Sequence, residues 1–123
     1  MPKAGELIAL GMPDSLAKVA SVFSLKTGIT AAGTVITDAT DLAHEVNIIS
    51  TAAASTGVQL PNFPIGSMVY VRNSGANTVN VFPASSTQTI NGGSAGAAVT
   101  LATTKNAIGF RETATNWVWT AID

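Results

Sequence analysis

Short segments with the alternation of β-strands recur roughly every ten residues along most of this 123-residue chain. Val46–Thr51, Met68–Arg72 and Trp117–Ala121 alternate between two side-chain sets, and Thr34–Thr37 is β-branched throughout. Residues that favour turns separate these segments, and no long helical segment lies between them. The pattern predicts a mainly β fold, an antiparallel β-sandwich or β-barrel.

Two of the segments have the spacing of a β-hairpin. Met68–Arg72 and Thr78–Phe82 both carry paired valines on one face, and the turn-rich Asn73–Asn77 separates them. We therefore predict a hairpin with a five-residue loop. With the valines in the core, the opposite face offers anchors for an interface; alternatively, it belongs to the second buried face of a sandwich.

The residue pattern of the N-terminal segment differs from that of the rest of the chain. Proline and glycine punctuate short apolar pieces there, which suits an extended arm. Within it, Leu16, Val19, Ala20 and Phe23 share one face at helical spacing, so a short helix is predicted over Asp14–Phe23. The chain is accordingly divided into an arm with a short helix, residues 1–28, and a β-sandwich or barrel domain, residues 29–123.

The composition is unusually poor in charge. Charged residues are 11% of the chain, hydrophobic residues are 46%, and the formal net charge is −1. Soluble monomers normally intersperse many charges on their surfaces, so burial in a homo-oligomer would explain this composition. A Thr/Ser-rich β-domain that is merely near neutrality is the alternative. The charge balance disfavours direct nucleic-acid binding, and no apolar run is long enough to predict a membrane span.

The sequence offers little material for catalysis. His44 is the only histidine, and a metal site or a serine triad would have to use it. Its neighbours Asp41 and Glu45 make a metal site conceivable, but a solvated polar turn is the favoured interpretation. We predict no enzyme, no catalytic residue, no cofactor and no metal site. Trp117 and Trp119 share one strand face, where they could stack on sugars, anchor an interface or fill the core.

Several segments, in order, resemble modules of tailed-bacteriophage head decoration and head fibre proteins. They are Met1–Gly5, Gly11–Pro13, Thr56–Pro61, Val69–Asn77, Val81–Ala84, Thr89–Gly92 and Trp117. The resemblance implies a compact capsid cement protein that binds the major capsid protein lattice as a trimer and stabilises the head. It also implies a location on the outer surface of the virion, after synthesis in the host cytoplasm.

A carbohydrate- or receptor-binding tip module of a phage fibre is the alternative function, motivated by the two tryptophans. For the assembly function, the predicted contacts combine the arm with one sheet face. The candidate interface residues are Leu7, Ile8, Leu10, Met12, Met68, Tyr70, Phe82 and Trp119.

Overall fold

A computed structural model of the chain describes residues 24–122, so the predicted helix Asp14–Phe23 lies outside the described residues. Within that range the chain is mainly β, as predicted. No helix among residues 24–122 is long and apolar enough to cross a membrane. The strands are β1 (Leu25–Ala31), β2 (Thr40–Asp41), β3 (Val46–Ala52), β4 (Gly57–Gln59), β5 (Met68–Asn73), β6 (Val79–Phe82), β7 (Thr89–Ile90), β8 (Val99–Leu101), β9 (Asn106–Arg111) and β10 (Asn116–Ile122).

The strands form two mixed sheets in a solenoid-like arrangement. The six-stranded sheet has the order β1-β3-β5-β9-β10-β7, and the four-stranded sheet has the order β2-β4-β6-β8. From β1 to β6 the chain alternates between the sheets, so neighbours within each sheet are parallel. The direction then changes, because β8 is antiparallel to β6 and β9 is antiparallel to β5.

The predictions of antiparallel sheets and of a hairpin at residues 68–82 are wrong. β5 and β6 belong to different sheets, and each pairs in parallel with an earlier strand. Alternation of apolar residues in the sequence indicates only that one face of a strand is buried. It does not determine which other strand pairs with it. The five-residue connection carries the chain across the core instead of turning it back within one sheet.

Asn73 forms the corner where the chain leaves β5. Its side chain is completely buried, and its Oδ1 accepts a hydrogen bond from the Gly75 amide at 2.9 Å. Its Nδ2 donates to the carbonyls of Asn77, at 2.8 Å, and Leu101, at 2.9 Å. Because Leu101 ends β8, this one amide connects the six-stranded sheet to the four-stranded sheet and shapes the loop between them.

One core cluster takes side chains from both sheets. Its largest fully buried member, Trp117, donates through Nε1 to Oε1 of Gln88 at 2.8 Å. Trp119 pairs with Gly109 across β9 and β10, and a Cβ at Gly109 would lie 3.2 Å from the Trp119 ring. The glycine therefore makes room for both indoles inside the six-stranded sheet.

Replacing Asn73 with alanine should destabilise the fold by about 3 kcal/mol, because the Gly75 amide and two carbonyls would lose their shared partner. Urea unfolding at fixed protein concentration, followed by tryptophan fluorescence, measures this loss. Asn80→Ala is the matched control, since Asn80 is half-buried on β6. Equal destabilisation by both substitutions would contradict the corner role of Asn73.

Candidate binding groove on the six-stranded sheet

The outer face of the six-stranded sheet is apolar and exposed. The large hydrophobic side chains that stand out to solvent in residues 24–122 are Leu25, Val35, Ile65, Met68, Phe110, Val118 and Ile122. All except Val35 belong to this face or to the loop beside it. Single exposed hydrophobic residues are ordinary, but a contiguous group of this kind marks an interaction surface.

Strand register aligns the apolar side chains into rows across the sheet. Leu25, Val46, Tyr70 and Ile108 are successive partners across β1, β3, β5 and β9. A second row joins Met68, Phe110 and Val118 across β5, β9 and β10. Paired residues on neighbouring strands point to the same side, so each row forms a continuous apolar band on the outside of the sheet.

Parts of both rows form the floor of a groove of about 880 Å³. Val46, Met68, Tyr70 and Ile108 form the floor, and the connection at residues 63–67 forms one wall. Ile65 projects from that wall and is 60% exposed. Of the lining residues that the structure describes, Glu45 alone carries a charge, so the groove suits an apolar occupant.

Arg111 fixes the wall of the groove. Its guanidinium donates to Oδ1 of Asn62 at 3.0 Å, to the carbonyl of Phe63, and to the carbonyl of Ala114 at 3.0 Å. The Arg111 backbone also accepts from the Gly66 amide at 2.8 Å and donates to the Ser67 carbonyl at 3.0 Å. Because the planar guanidinium contacts several acceptors at once, it holds both the loop and the end of β9.

The described part of the chain begins at the rim of this groove. The carbonyl of Ser24 accepts a hydrogen bond from the Val46 amide at 2.9 Å, and its Oγ accepts from the Glu45 amide at 3.1 Å. Glu45 and Val46 both line the groove. Ser24, the first described residue, therefore lies directly beside the apolar groove.

The predicted interface residues divide into three groups. Leu7, Ile8, Leu10 and Met12 lie outside the described residues. Met68, which is 53% exposed, and the half-buried Tyr70 lie together in the groove. Phe82 and Trp119 lie elsewhere and are covered by their own subunit.

Phe82 is on the other sheet and only 8% of its surface is exposed. A Cβ at Gly57 would lie 2.8 Å from the Phe82 ring. The absence of a side chain at this position on β4 therefore leaves the space in which the ring packs. Trp119 is 9% exposed and Trp117 is fully buried, as expected if the tryptophans fill the core. Neither indole presents a ring face to solvent on which a sugar could stack.

The polar side chains around His44 do not form a cluster of metal ligands. Across residues 24–122, no group of three or more His, Cys, Asp or Glu side chains is placed to hold a metal ion. His44 and Asp41 instead line a second, smaller cavity of about 270 Å³ beside β1 and β2. Asn47 also faces this cavity, and its Oδ1 is buried without a hydrogen-bond partner.

Sequence reasoning missed Ile65, Ile108, Phe110, Val118 and Ile122 as members of the exposed face. For Val118 and Ile122 a signal existed, since both alternate with the tryptophans along the last strand. For Ile108 and Phe110 the pattern was misleading, because two apolar side chains on one strand face suggest the core. The β9 residues that face the core are instead small, Ala107 and Gly109. They are small because the two tryptophan rings occupy the space beside them.

The substitution Arg111→Lys should loosen the groove wall, because an ammonium group cannot reach all three acceptors together. Amide hydrogen exchange in a peptide covering residues 62–67 should rise about tenfold. Arg72→Lys is the control, since Arg72 lies on β5 of the same sheet and contacts Ser74 through a single 3.3 Å hydrogen bond. Unchanged exchange in Arg111→Lys would show that the loop keeps its position without the guanidinium.

The chain matches no known family model, and no curated protein or solved structure is significantly similar to it. The resemblance to head decoration proteins therefore rests on the ordered sequence segments alone. Any functional assignment must be argued from the apolar face and from the composition.

Proposed function

We propose that the protein is a capsid decoration protein, a structural component that binds the outer surface of the major capsid protein lattice as a homotrimer. The single observation that carries this proposal is the apolar outer face of the six-stranded sheet, in a chain with only 11% charged residues. A face of this kind loses unfavourable contact with water when it is covered by protein. We propose in addition that the two sheets form the β-sandwich that the resemblance implies. The core cluster that both sheets share supports this architecture.

The composition supports association with other protein surfaces. Charged groups are depleted at the centres of protein interfaces, because each charge that is buried must be desolvated. Here the row Met68, Phe110 and Val118 contains no charge, and Ile122 lies on the same outer side of β10. We call Phe110, Val118 and Ile122 the β9–β10 strip, and we assign it to contacts between subunits or with the capsid.

The strip is compatible with a rigid docking surface. β9 and β10 are joined by six register pairs, and β5 supports β9 from the other side. Their inward faces carry Ala107, Gly109 and the two tryptophans, which are packed in the core. Apolar side chains held on such a rigid sheet bind with little loss of conformational entropy.

The double substitution Phe110→Thr/Val118→Thr should weaken the trimer by about 2 kcal/mol, more than tenfold in the dissociation constant, because apolar area is lost from the strip. Threonine keeps a high strand propensity, so the sheet should remain folded. Light scattering across a dilution series measures the oligomer. The melting temperature of capsids assembled without the protein measures stabilisation when the wild type or the variant is added.

Val35→Thr is the matched control, because Val35 is also exposed but lies in a turn away from the strip. It should trimerise and raise the capsid melting temperature as the wild type does. A wild-type protein that stays monomeric and leaves the capsid melting temperature unchanged would refute the proposed function.

A further inference from the structure

We propose that Asn91–Gly92 is a site of spontaneous deamidation that the folded chain protects, and that the reaction removes the group that closes one edge of the six-stranded sheet. Asn91 is the only asparagine in the 123-residue sequence that precedes a glycine. Because glycine has no side chain, the backbone nitrogen that follows Asn91 is unhindered. The proposal concerns a chemical modification and is independent of the capsid function.

The reaction uses only the chain and water. The Gly92 nitrogen gives its proton to hydroxide and bonds to Cγ of Asn91. The Cγ–Nδ2 bond then breaks, and Nδ2 leaves as ammonia after taking a proton from water. One water molecule opens the resulting cyclic imide, either to aspartate or to isoaspartate, in which the main chain runs through Cγ. Asn91 and Gly92 are both exposed, so water reaches the site.

The side chain of Asn91 is held against β10 in the folded chain. Its Oδ1 accepts from the Trp119 amide at 2.8 Å, and its Nδ2 donates to the Trp119 carbonyl at 3.1 Å. The backbone amide of Asn91 donates to the Trp117 carbonyl at 2.7 Å. Attack requires the carboxamide to turn its carbon toward the Gly92 nitrogen, a rotation that the two bonds to Trp119 oppose.

The attacking nitrogen is also engaged in a hydrogen bond. The Gly92 amide donates to Oδ1 of Asn116 at 3.0 Å, and Thr89 Oγ1 donates to the same oxygen at 2.7 Å. Nδ2 of Asn116 donates to Oε2 of Glu112 at 2.8 Å, which fixes the orientation of this carboxamide. A neutral amide oxygen accepts a hydrogen bond but does not remove the proton, so the contact stabilises the unreactive form of the Gly92 amide.

The backbone at residues 91–92 is a tight turn. Asn91 has φ 55° and Gly92 has φ 69°, and the Gly93 amide donates to the Ile90 carbonyl at 3.1 Å. Positive φ at both central residues is typical of the asparagine–glycine type I′ turn. The turn directly follows β7, which is joined to β10 by two register pairs. The reaction therefore requires local opening, and its rate measures how often this turn leaves β10.

Either product changes the sheet edge that Asn91 closes. An aspartate at position 91 still accepts from the Trp119 amide, but it has no donor for the Trp119 carbonyl. Isoaspartate places Cγ in the main chain, so residue 91 no longer has a side-chain amide. In both products the Trp119 carbonyl loses the donor that Asn91 supplied. An unpaired group on a strand edge is a site at which another strand can pair.

Peptide mass analysis of the full chain measures deamidation in folded protein and in protein unfolded in guanidinium chloride, at one pH and temperature. In the unfolded protein, Asn91 should react faster than every other asparagine. In the folded protein its rate should be lower by about tenfold or more, because the reaction waits for local opening. Equal rates in the two states, or faster reaction of another asparagine in the unfolded chain, would overturn the proposal. This comparison needs no substitution.

The same measurement tests the contact with Asn116. Asn116→Ala should raise the Asn91 rate in the folded protein about fivefold, because the Gly92 amide loses its acceptor, and should leave the unfolded rate unchanged. Asn77→Ala is the matched control, since Asn77 also forms one side-chain hydrogen bond, to the Ala52 carbonyl, but in the β5–β6 connection. An unchanged rate in Asn116→Ala, or an equal rise in both variants, would overturn local protection by Asn116.

The effect of the modification on the edge is tested with Asn91→Asp, which carries one of the two products. This variant should unfold at a lower urea concentration than the wild type, because the Trp119 carbonyl loses its donor. Ser94→Asp is the control, since it adds the same charge at an exposed position of the same loop. Equal unfolding midpoints for Asn91→Asp and Ser94→Asp would overturn the loss of the edge contact as a consequence of deamidation.

Discussion

The buried amide of Asn73 is the interaction on which the arrangement of the two sheets depends. A chain that crosses between sheets after almost every strand must satisfy its backbone polar groups at each crossing, where no strand partner is present. At the end of β5, the Asn73 side chain bonds the Gly75 amide and the carbonyls of Asn77 and Leu101. Asn91 acts similarly at the far edge, where its side chain accepts from the Trp119 amide and donates to the Trp119 carbonyl. Asparagine can replace a missing strand in this way because its side chain carries the same donor and acceptor as a peptide group.

The positions of most strands could be predicted from the sequence, whereas their partners could not. The apolar alternation of Met68–Arg72 marks β5 correctly, since one face of that strand is buried. Pairing depends on where the connections lead, and the Asn73 side chain sends the chain to the other sheet. At Thr34–Thr37 the β-branched run is not a strand, because the Asp38 carboxylate accepts from the amides of Thr34 and Val35, each at 2.9 Å, and closes a turn. Local side-chain hydrogen bonds of this kind override strand propensity.

Residues of the candidate site could be predicted only where the alternation along a strand determined which side chains face outward. Met68 and Tyr70 face outward because Val69 and Val71 face the core. Phe82 and Trp119 have comparable sequence signals, but glycines elsewhere in the chain decide their burial. Gly57 lets the Phe82 ring lie against β4, and Gly109 leaves space for Trp119 inside the sheet. These contacts join residues that are distant in sequence, so no local pattern reports them.

The packing of the two indoles and the apolar outer face of β9 and β10 belong to the two sides of the same strands. Ala107 and Gly109 leave space for Trp117 and Trp119 on the inner side, so the larger apolar side chains of β9, Ile108 and Phe110, stand on the outer side. Val118 pairs with Phe110 there, and both side chains are exposed. Under the proposed function, the strands that complete the core therefore also carry the uncharged surface offered to neighbouring subunits.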